Sequence, residues 1–444
     1  MQFIQEYSRY CLAIELMIAG ITLPKKYLLK EWQSMVMLLL PVMTLMWLVS
    51  AAIIKFTFGL PFLQALAIGA CVAPTDPVLA NAILKGMFAE THVPLRLRNI
   101  LTAESGANDG LGYPFLFLAL FLMRLGGGNA IGAWFYVTWV YQVVLSVVIG
   151  GVAGYVGRKV LKYAKNTGWI EHELFLLSAI SLALMLVGLC TILGTDDILC
   201  CFVAGNSFTW DDWYRIESED TLLQQTINDI LSMTFFMYFG ATIPWAEYIG
   251  ANFLSPWRIS IAVVLIIILR RLPAIVALYR LVPAINNWKE ALFAGWFGPI
   301  GVSAIFYATE TIKQINEHDD SNAGIVAKIV YPIVCAVVFG SVVVHGITIP
   351  IVLMGNHIKT TISLNCFYPS SSSIWNIPNW TKSKSSPDSK KLGANHSQDK
   401  PEMPSATYLG TDFTTLQELD APADAYAHAL SEAHSANIQS LRES

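Results

Sequence analysis

Two prolines bracket a carboxylate in the middle of an apolar run that reads Gly69-Ala70-Cys71-Val72-Ala73-Pro74-Thr75-Asp76-Pro77-Val78. Each proline removes a backbone donor and clashes with the preceding turn. A helix broken this way at membrane depth is tolerated only where it is buried in protein or lines a cavity. The freed carbonyls, the Thr75 hydroxyl and the Asp76 carboxylate are then candidates to replace water around a small cation. The alternative is a simple kink with Asp76 paired internally. A second stretch, Ala103-Glu104-Ser105-Gly106-Ala107-Asn108-Asp109-Gly110, places another carboxylate, Asp109, beside the amide of Asn108. Ionisable groups at this depth usually serve function. Ser105, Gly106 and Gly110 allow close helix approach. Glu104 lies five residues before Asp109 and so faces elsewhere. It is expected in a buried scaffold bridge with an arginine, Arg271 being the candidate. In a dehydrated site with two carboxylates, a proton and a cation compete for the same oxygens. A site that opens to either side carrying one or the other, but rarely empty, is an exchanger.

The elements that must position these residues are membrane helices. The chain has 444 residues, 55% of them hydrophobic and only 14% charged, with a net charge of −4. Soluble domains carry about 25% charged residues. These values exclude a disordered chain, a basic nucleic-acid binder and an ordinary soluble enzyme. Residues 359–444 hold 7 basic and 9 acidic groups and residues 1–358 the other 44. The expected division is therefore a membrane domain over 1–355 and a cytosolic, largely disordered tail over 356–444. That tail includes a weak helix over Thr415–Ala436, N-x-S/T sequons at Asn379 and Asn395, and a candidate phosphosite at Ser386.

Stretches of roughly 20 apolar residues predict eleven spans, making an all-α polytopic membrane protein. They run over Phe3–Leu23, Trp32–Ile54, Phe62–Leu84, Asn99–Met123, Ile131–Val156, Leu174–Leu193, Ile198–Trp210, Ile227–Ile249, Ile259–Leu281, Ala291–Ile312 and Ile325–Met354. Alternate loops are rich in Lys and Arg: Lys25, Lys26 and Lys30; Lys85, Arg96 and Arg98; Arg158, Lys159, Lys162 and Lys165; Arg270, Arg271, Arg280 and Lys289. By the positive-inside rule Met1 lies outside and the tail in the cytoplasm. The acidic loop Asp211–Asp220 is the exception.

The stretch Gly295-Trp296-Phe297-Gly298-Pro299-Ile300-Gly301 interrupts a second helix. Two interrupted helices in corresponding positions point to inverted repeats. They stand seven spans apart, which makes the last six spans a complete repeat and leaves the first repeat two helices short. The sequence therefore reads as N-terminally truncated. The acids of the turn Gly194-Thr195-Asp196-Asp197 either attract cations at a vestibule or cap the next helix. Glu15, Lys55, Lys328 and His345 are read as scaffold partners or snorkelling groups. Seven cysteines and eight histidines show no metal-ligand spacing, so no metal enzyme and no cofactor is expected. Neither Asp76 nor Asp109 sits in the Gly-x-Gly-Asp motif of intramembrane aspartyl proteases.

Five motifs in order resemble those of the fungal plasma-membrane Na+/H+ antiporters of the cation:proton antiporter superfamily. They are Ala73-Pro74-Thr75-Asp76-Pro77, Ala103–Gly110, Gly194-Thr195-Asp196-Asp197, Arg270-Arg271-Leu272-Pro273 and Phe297-Gly298-Pro299-Ile300-Gly301. The resemblance extends from about Phe3 to Met354. It implies a thirteen-helix inverted-repeat fold with two discontinuous crossing helices, a homodimer in the lipid bilayer, and exchange of Na+, Li+ or K+ for H+. It implies a secondary transporter, not an enzyme, with no nucleic-acid partner. The cation and proton are expected at Asp76, Thr75, Asn108 and Asp109, with Glu104, Arg271, Asp196 and Asp197 auxiliary or structural. The spans beginning at Trp32, Phe62, Asn99, Ile259, Ala291 and Ile325 would form a core that moves against a scaffold. Three departures stand out: two helices fewer at the start, Gly301-Val302-Ser303-Ala304 where the family carries Gly-Val-Gly-Ala, and a short tail. A truncated, non-transporting subunit is the alternative expectation.

Overall fold

Proline, glycine and side-chain caps set the helix boundaries. The computed structural model describes residues 1–77, 93–218, 223–250, 254–318 and 324–367, all helix, turn or extended connection with no strand among them. Helix α1 covers Gln2–Thr22. Helix α2 covers Trp32–Phe58; Pro41 lies inside it, within one wide π turn over Leu38–Val42, because proline has no N–H to give to the regular ladder. Helix α3 covers Phe62–Cys71 and stops at the Pro74-Pro77 break. Helices α4 (Leu95–Gly110) and α5 (Gly112–Arg124) meet at Leu111. Helix α6 covers Gly127–Asn166, with a long π stretch over Trp134–Val144.

Helix α7 (His172–Leu193) ends at Gly194 with φ +71°, the left-handed stop that glycine adopts without a Cβ penalty. Helix α8 (Asp197–Phe208) follows at once. Helices α9 (Leu223–Thr242), α10 (Pro256–Leu269) and α11 (Leu272–Leu278) come next. Helix α12 (Trp288–Trp296) is capped by Asn287, and α13 (Val302–Glu317) resumes after an extended break. Helix α14 covers Gly324–Phe367.

Among the described residues six segments are long and apolar enough to cross a membrane: α2, α4 with α5, α6, α7, Pro256–Leu281 and Gly324–Thr348. Helices α3 and α8 are shorter and apolar. Several expected spans are divided. Ala291–Ile312 is two half-helices, and Asn99–Met123 bends at Leu111. The last helix runs past Met354 to Phe367. Residues 78–84 of the expected span Phe62–Leu84, Lys85, and the sequons, phosphosite and weak helix of the tail lie outside the described residues.

Helix α1 runs through the centre, buried continuously over Cys11–Ile21, and packs on α7, α8, α9 and α13. Its contact with α8 is backbone to backbone. A Cβ at Gly20 would overlap the carbonyl of Phe202, and one at Gly205 the carbonyl of Met17. Helix α6 meets α8 in the same way, Gly150 on the Cys200 carbonyl and Gly154 on that of Ala204. Between helices in lipid, where apolar burial supplies no drive, such close approach supplies the attraction.

The acidic loop that broke the charge alternation is neutralised locally. Asp211 lies 3.4 Å from Arg158 and 3.7 Å from Lys162. Lys165 pairs with Glu217, and Arg215 forks onto Asp212 at 2.7 and 2.9 Å. The basic end of α6 and the acidic segment after α8 therefore share one end of the bundle, as the alternation of loops demands.

Candidate functional site

The two interruptions cross. The Asp76 amide donates to the Pro299 carbonyl at 2.9 Å. The Asp76 carboxylate is fully buried, and its Oδ2 accepts from the Val302 amide, the first residue of α13. A carboxylate at a helix N-terminus meets unpaired N–H groups and the positive end of the helix dipole. Gly301 makes room for it, since a Cβ there would overlap the Asp76 carboxylate. Gly301→Ala is accordingly expected to lower the unfolding temperature in detergent, at a cost of about 1–3 kcal/mol for the overpacking. Wild-type thermal stability in that variant would contradict the seating of Asp76.

Helix α4 clamps the first break from the side. Asn108 accepts from the Thr75 amide at 3.2 Å and donates to the Thr75 hydroxyl at 2.8 Å. The Ser105 hydroxyl lies 3.1 Å from that same Thr75 oxygen. Both ends of the Asn108 amide are thus committed to holding Thr75. Asp109, one residue on, is fully buried, and neither of its carboxylate oxygens has a hydrogen-bond partner among the described residues. The Ser303 hydroxyl faces it from α13 without closing a bond. Tyr307, one turn further, donates its hydroxyl to the backbone carbonyl of Asp109. Buried polar groups are almost always satisfied, which sets this carboxylate apart from Asp76 and Glu104.

Glu104 points away from Asp109 and forms the buried bridge with Arg271, Nη1 to Oε1 at 2.6 Å and Nη2 to Oε2 at 2.7 Å. Arg271 also donates through Nε to the Ala294 carbonyl at 2.9 Å. The neighbouring Arg270 was not singled out from sequence, yet it holds the crossing together. It is the largest side chain among the fully buried ones. Its Nη1 donates to the carbonyls of Val72, Ala73 (3.3 Å) and Pro74 (3.0 Å), and its Nη2 to that of Gly298. The carbonyls freed by the prolines, expected around a cation, therefore go to a guanidinium. Its planar fork of donors can serve several carbonyls at once. The signal was present as adjacent arginines inside an apolar run.

The remaining candidates are structural in position. Asp196 caps α8, accepting from the Leu199 amide at 3.0 Å. Asp197 pairs with Arg9 of α1, which also donates to the Thr191 hydroxyl at 2.8 Å. Glu15 accepts from Ser232 of α9 at 3.0 Å and leaves its other oxygen unpartnered. Lys55 lies over the Phe62 ring at 5.4 Å, Lys328 is exposed, and His345 packs against Trp296 and Phe297. The arrangement can hold one cation or one proton at Asp109, beside an Asp76 already placed on a helix end.

The sequence and the fold have counterparts in known proteins. The Zygosaccharomyces rouxii Na(+)/H(+) antiporter 2 is 37% identical over 372 residues, covering 80% of this chain and 46% of that protein. The Saccharomyces cerevisiae Na(+)/H(+) antiporter is 38% identical over 376 residues, covering 80% and 38%. A Schizosaccharomyces pombe Na(+)/H(+) antiporter is 33% identical, with 80% of this chain and 78% of that one covered. The chain spans less than half the length of the first curated relatives it matches. Among solved structures, the sodium proton antiporter MjNhaP1 from Methanocaldococcus jannaschii at pH 8 shares the fold, with a TM-score of 0.59 and 19% identity over 78% of this chain and 86% of that one. Residues 1–355 match the family model described as sodium/hydrogen exchanger, transmembrane, and the chain belongs to that family.

Proposed function

We infer that the chain is a secondary antiporter exchanging Na+, and also Li+ or K+, for H+ across the plasma membrane. The observation that carries this reading is the buried, unpartnered Asp109 carboxylate at the crossing of two broken helices. Asp76, Asp109 and Thr75 form the cation and proton site, with Asn108 holding Thr75 and Ser303 offering a further hydroxyl. The core, α2–α5 with α10–α14, moves against α1 and α6–α9 in a homodimer whose tail is cytoplasmic. Glu104–Arg271 and Arg270 keep the core in one piece, and Asp196 and Asp197 tie α8 to its neighbours.

The charges at the crossing support a one-for-one exchange. Around the crossing Glu104 is paired with Arg271, Asp76 bonds the Val302 amide and Glu15 bonds Ser232, while Asp109 has no hydrogen-bond partner among the described residues in this low-dielectric interior. One alkali cation or one proton neutralises that carboxylate. In proteoliposomes with an acidic lumen and an internal pH dye, added Na+ is expected to alkalinise the lumen at a rate unaffected by a clamped membrane potential. A chain that gives no alkalinisation is not an antiporter by itself, and a rate that follows the potential overturns the one-for-one count.

A further inference from the structure

Helix α13 carries a polar stripe beyond the crossing. Ser303, Tyr307, Glu310 and Gln314 are spaced four, three and four residues apart and so share one helix face. At 1.5 Å rise per residue, Glu310 stands about 10 Å past Ser303. There the stripe reaches a cavity of about 420 Å³ whose wall includes Gln5, Arg9, Gln142, Thr195, Glu310 and Gln314. Tyr113 also lines it and packs on the Tyr307 ring with centroids 5.5 Å apart. One aromatic layer therefore separates the cavity from the backbone of Asp109. The cavity lies at the end of the bundle opposite the basic loops, with the Gly194-Thr195 turn.

Glu310 is 7% exposed. Its Oε2 accepts from Gln5 of α1 at 2.8 Å and its Oε1 from Gln314 at 2.8 Å. Among the described residues it forms no ion pair. The cations around the cavity are engaged elsewhere or sit at its mouth. Arg9 pairs with Asp197 and lies 3.7 Å from Glu6, and Arg124 donates to the Gln314 carbonyl at 3.3 Å. Lys313 and His318 are exposed, the His318 ring 3.1 Å from that carbonyl. These two hydrogen bonds to the buried carboxylate thus come from neutral amides. The Thr195 hydroxyl, which lies beside the Cys190 thiol, and the Gln142 amide oxygen also line the cavity and close no hydrogen bond among the described residues. A carboxylate, a hydroxyl and an amide oxygen are the hard oxygen donors that suit alkali cations.

We propose that Glu310, with Thr195 and Gln142, forms an outer staging site that binds an alkali cation on its way to or from Asp109. The site rests on the exchange reading above. The Gln5 bond joins α1 to α13, so movement of the core against the scaffold opens or closes this stage. The test is uptake of radioactive sodium by the full chain in right-side-out and inside-out membrane vesicles. Glu310→Gln is expected to raise the sodium KM about tenfold, the loss of one charged contact, only at the face opposite the basic loops. The proton dependence at that face shifts in step, as detailed balance requires, and KM at the other face moves less than about twofold. Glu310→Asp restores a carboxylate and recovers most of the lost affinity. An equal rise at both faces, no rise, or a fall in maximal rate alone overturns the outer site. Wild-type vesicles without sodium uptake in either orientation overturn the exchange reading instead.

Discussion

Asp109→Asn is expected to abolish exchange and, at the same moment, to raise the temperature at which the protein unfolds. The two effects share one cause. Both oxygens of the Asp109 carboxylate are buried without a hydrogen-bond partner among the described residues, and a buried polar group left unsatisfied costs about 1–3 kcal/mol, more when it is charged. The amide has nearly the same shape, so the packing of α4 and the Tyr307 bond to the backbone carbonyl persist while the buried charge disappears. Without it the site keeps only the Asp76 carboxylate, already bonded at the start of α13, and exchange drops by roughly a hundredfold or more, the scale of losing a preorganised electrostatic partner. Initial rates in proteoliposomes and thermal unfolding in detergent read the two effects separately. Residual exchange near the wild-type rate would remove Asp109 from the site. Lost exchange with a lowered unfolding temperature would mean that the carboxylate is structural.

Arg270→Met is expected to act in the opposite way, through the fold. The guanidinium serves carbonyls of Val72, Ala73, Pro74 and Gly298, and methionine fills the volume without serving any. Leaving these groups unpaired in a dehydrated interior costs about 3 kcal/mol or more in total, at 1–3 kcal/mol for each group that finds no other partner. The variant should unfold at a clearly lower temperature and accumulate poorly in membranes. Arg270→Lys keeps the charge but offers a compact ammonium in place of the fork, and should recover only part of the loss. An Arg270→Met protein as stable as wild type would show that the crossing holds without its guanidinium.

Much of this site was legible before any coordinates. Prolines on either side of Asp76 announce a break, since no regular helix accommodates them. Carboxylates in apolar runs announce function because burying them serves little else. The five-residue offset of Glu104 from Asp109 sets them on different faces, and the bridge to Arg271 follows. What sequence could not assign was which arginine of the adjacent pair does which job. Arg270 and Arg271 both keep right-handed helical backbone angles, and adjacent residues on a helix point in different directions, so which of the two reaches which partner depends on the helices packed around them. Ser303, Tyr307 and Glu310 were missed for a like reason. Their roles depend on which helices α13 meets, α4 for the first two and α1 for the third, and that is tertiary information. The residues alone leave an even choice at Asp196 and Asp197, which the family resemblance tilts towards transport, for the same reason: a cap is local, but an arginine supplied by α1 is not.

The glycines of α8 and its neighbours bear on mechanics. Where α1 and α6 meet α8, backbone lies on backbone at Gly20, Gly205, Gly150 and Gly154. Main-chain atoms have no rotamers to yield, so these three helices transmit a push as one strut. Where α4 meets α8, Gly110 again lies on fixed atoms, the Cα and Cβ of Leu199, while Gly106 faces the Phe202 ring. Along a single helix the same residue type therefore makes a weld on three sides, and at these contacts the Phe202 ring is the group that can swing aside and return.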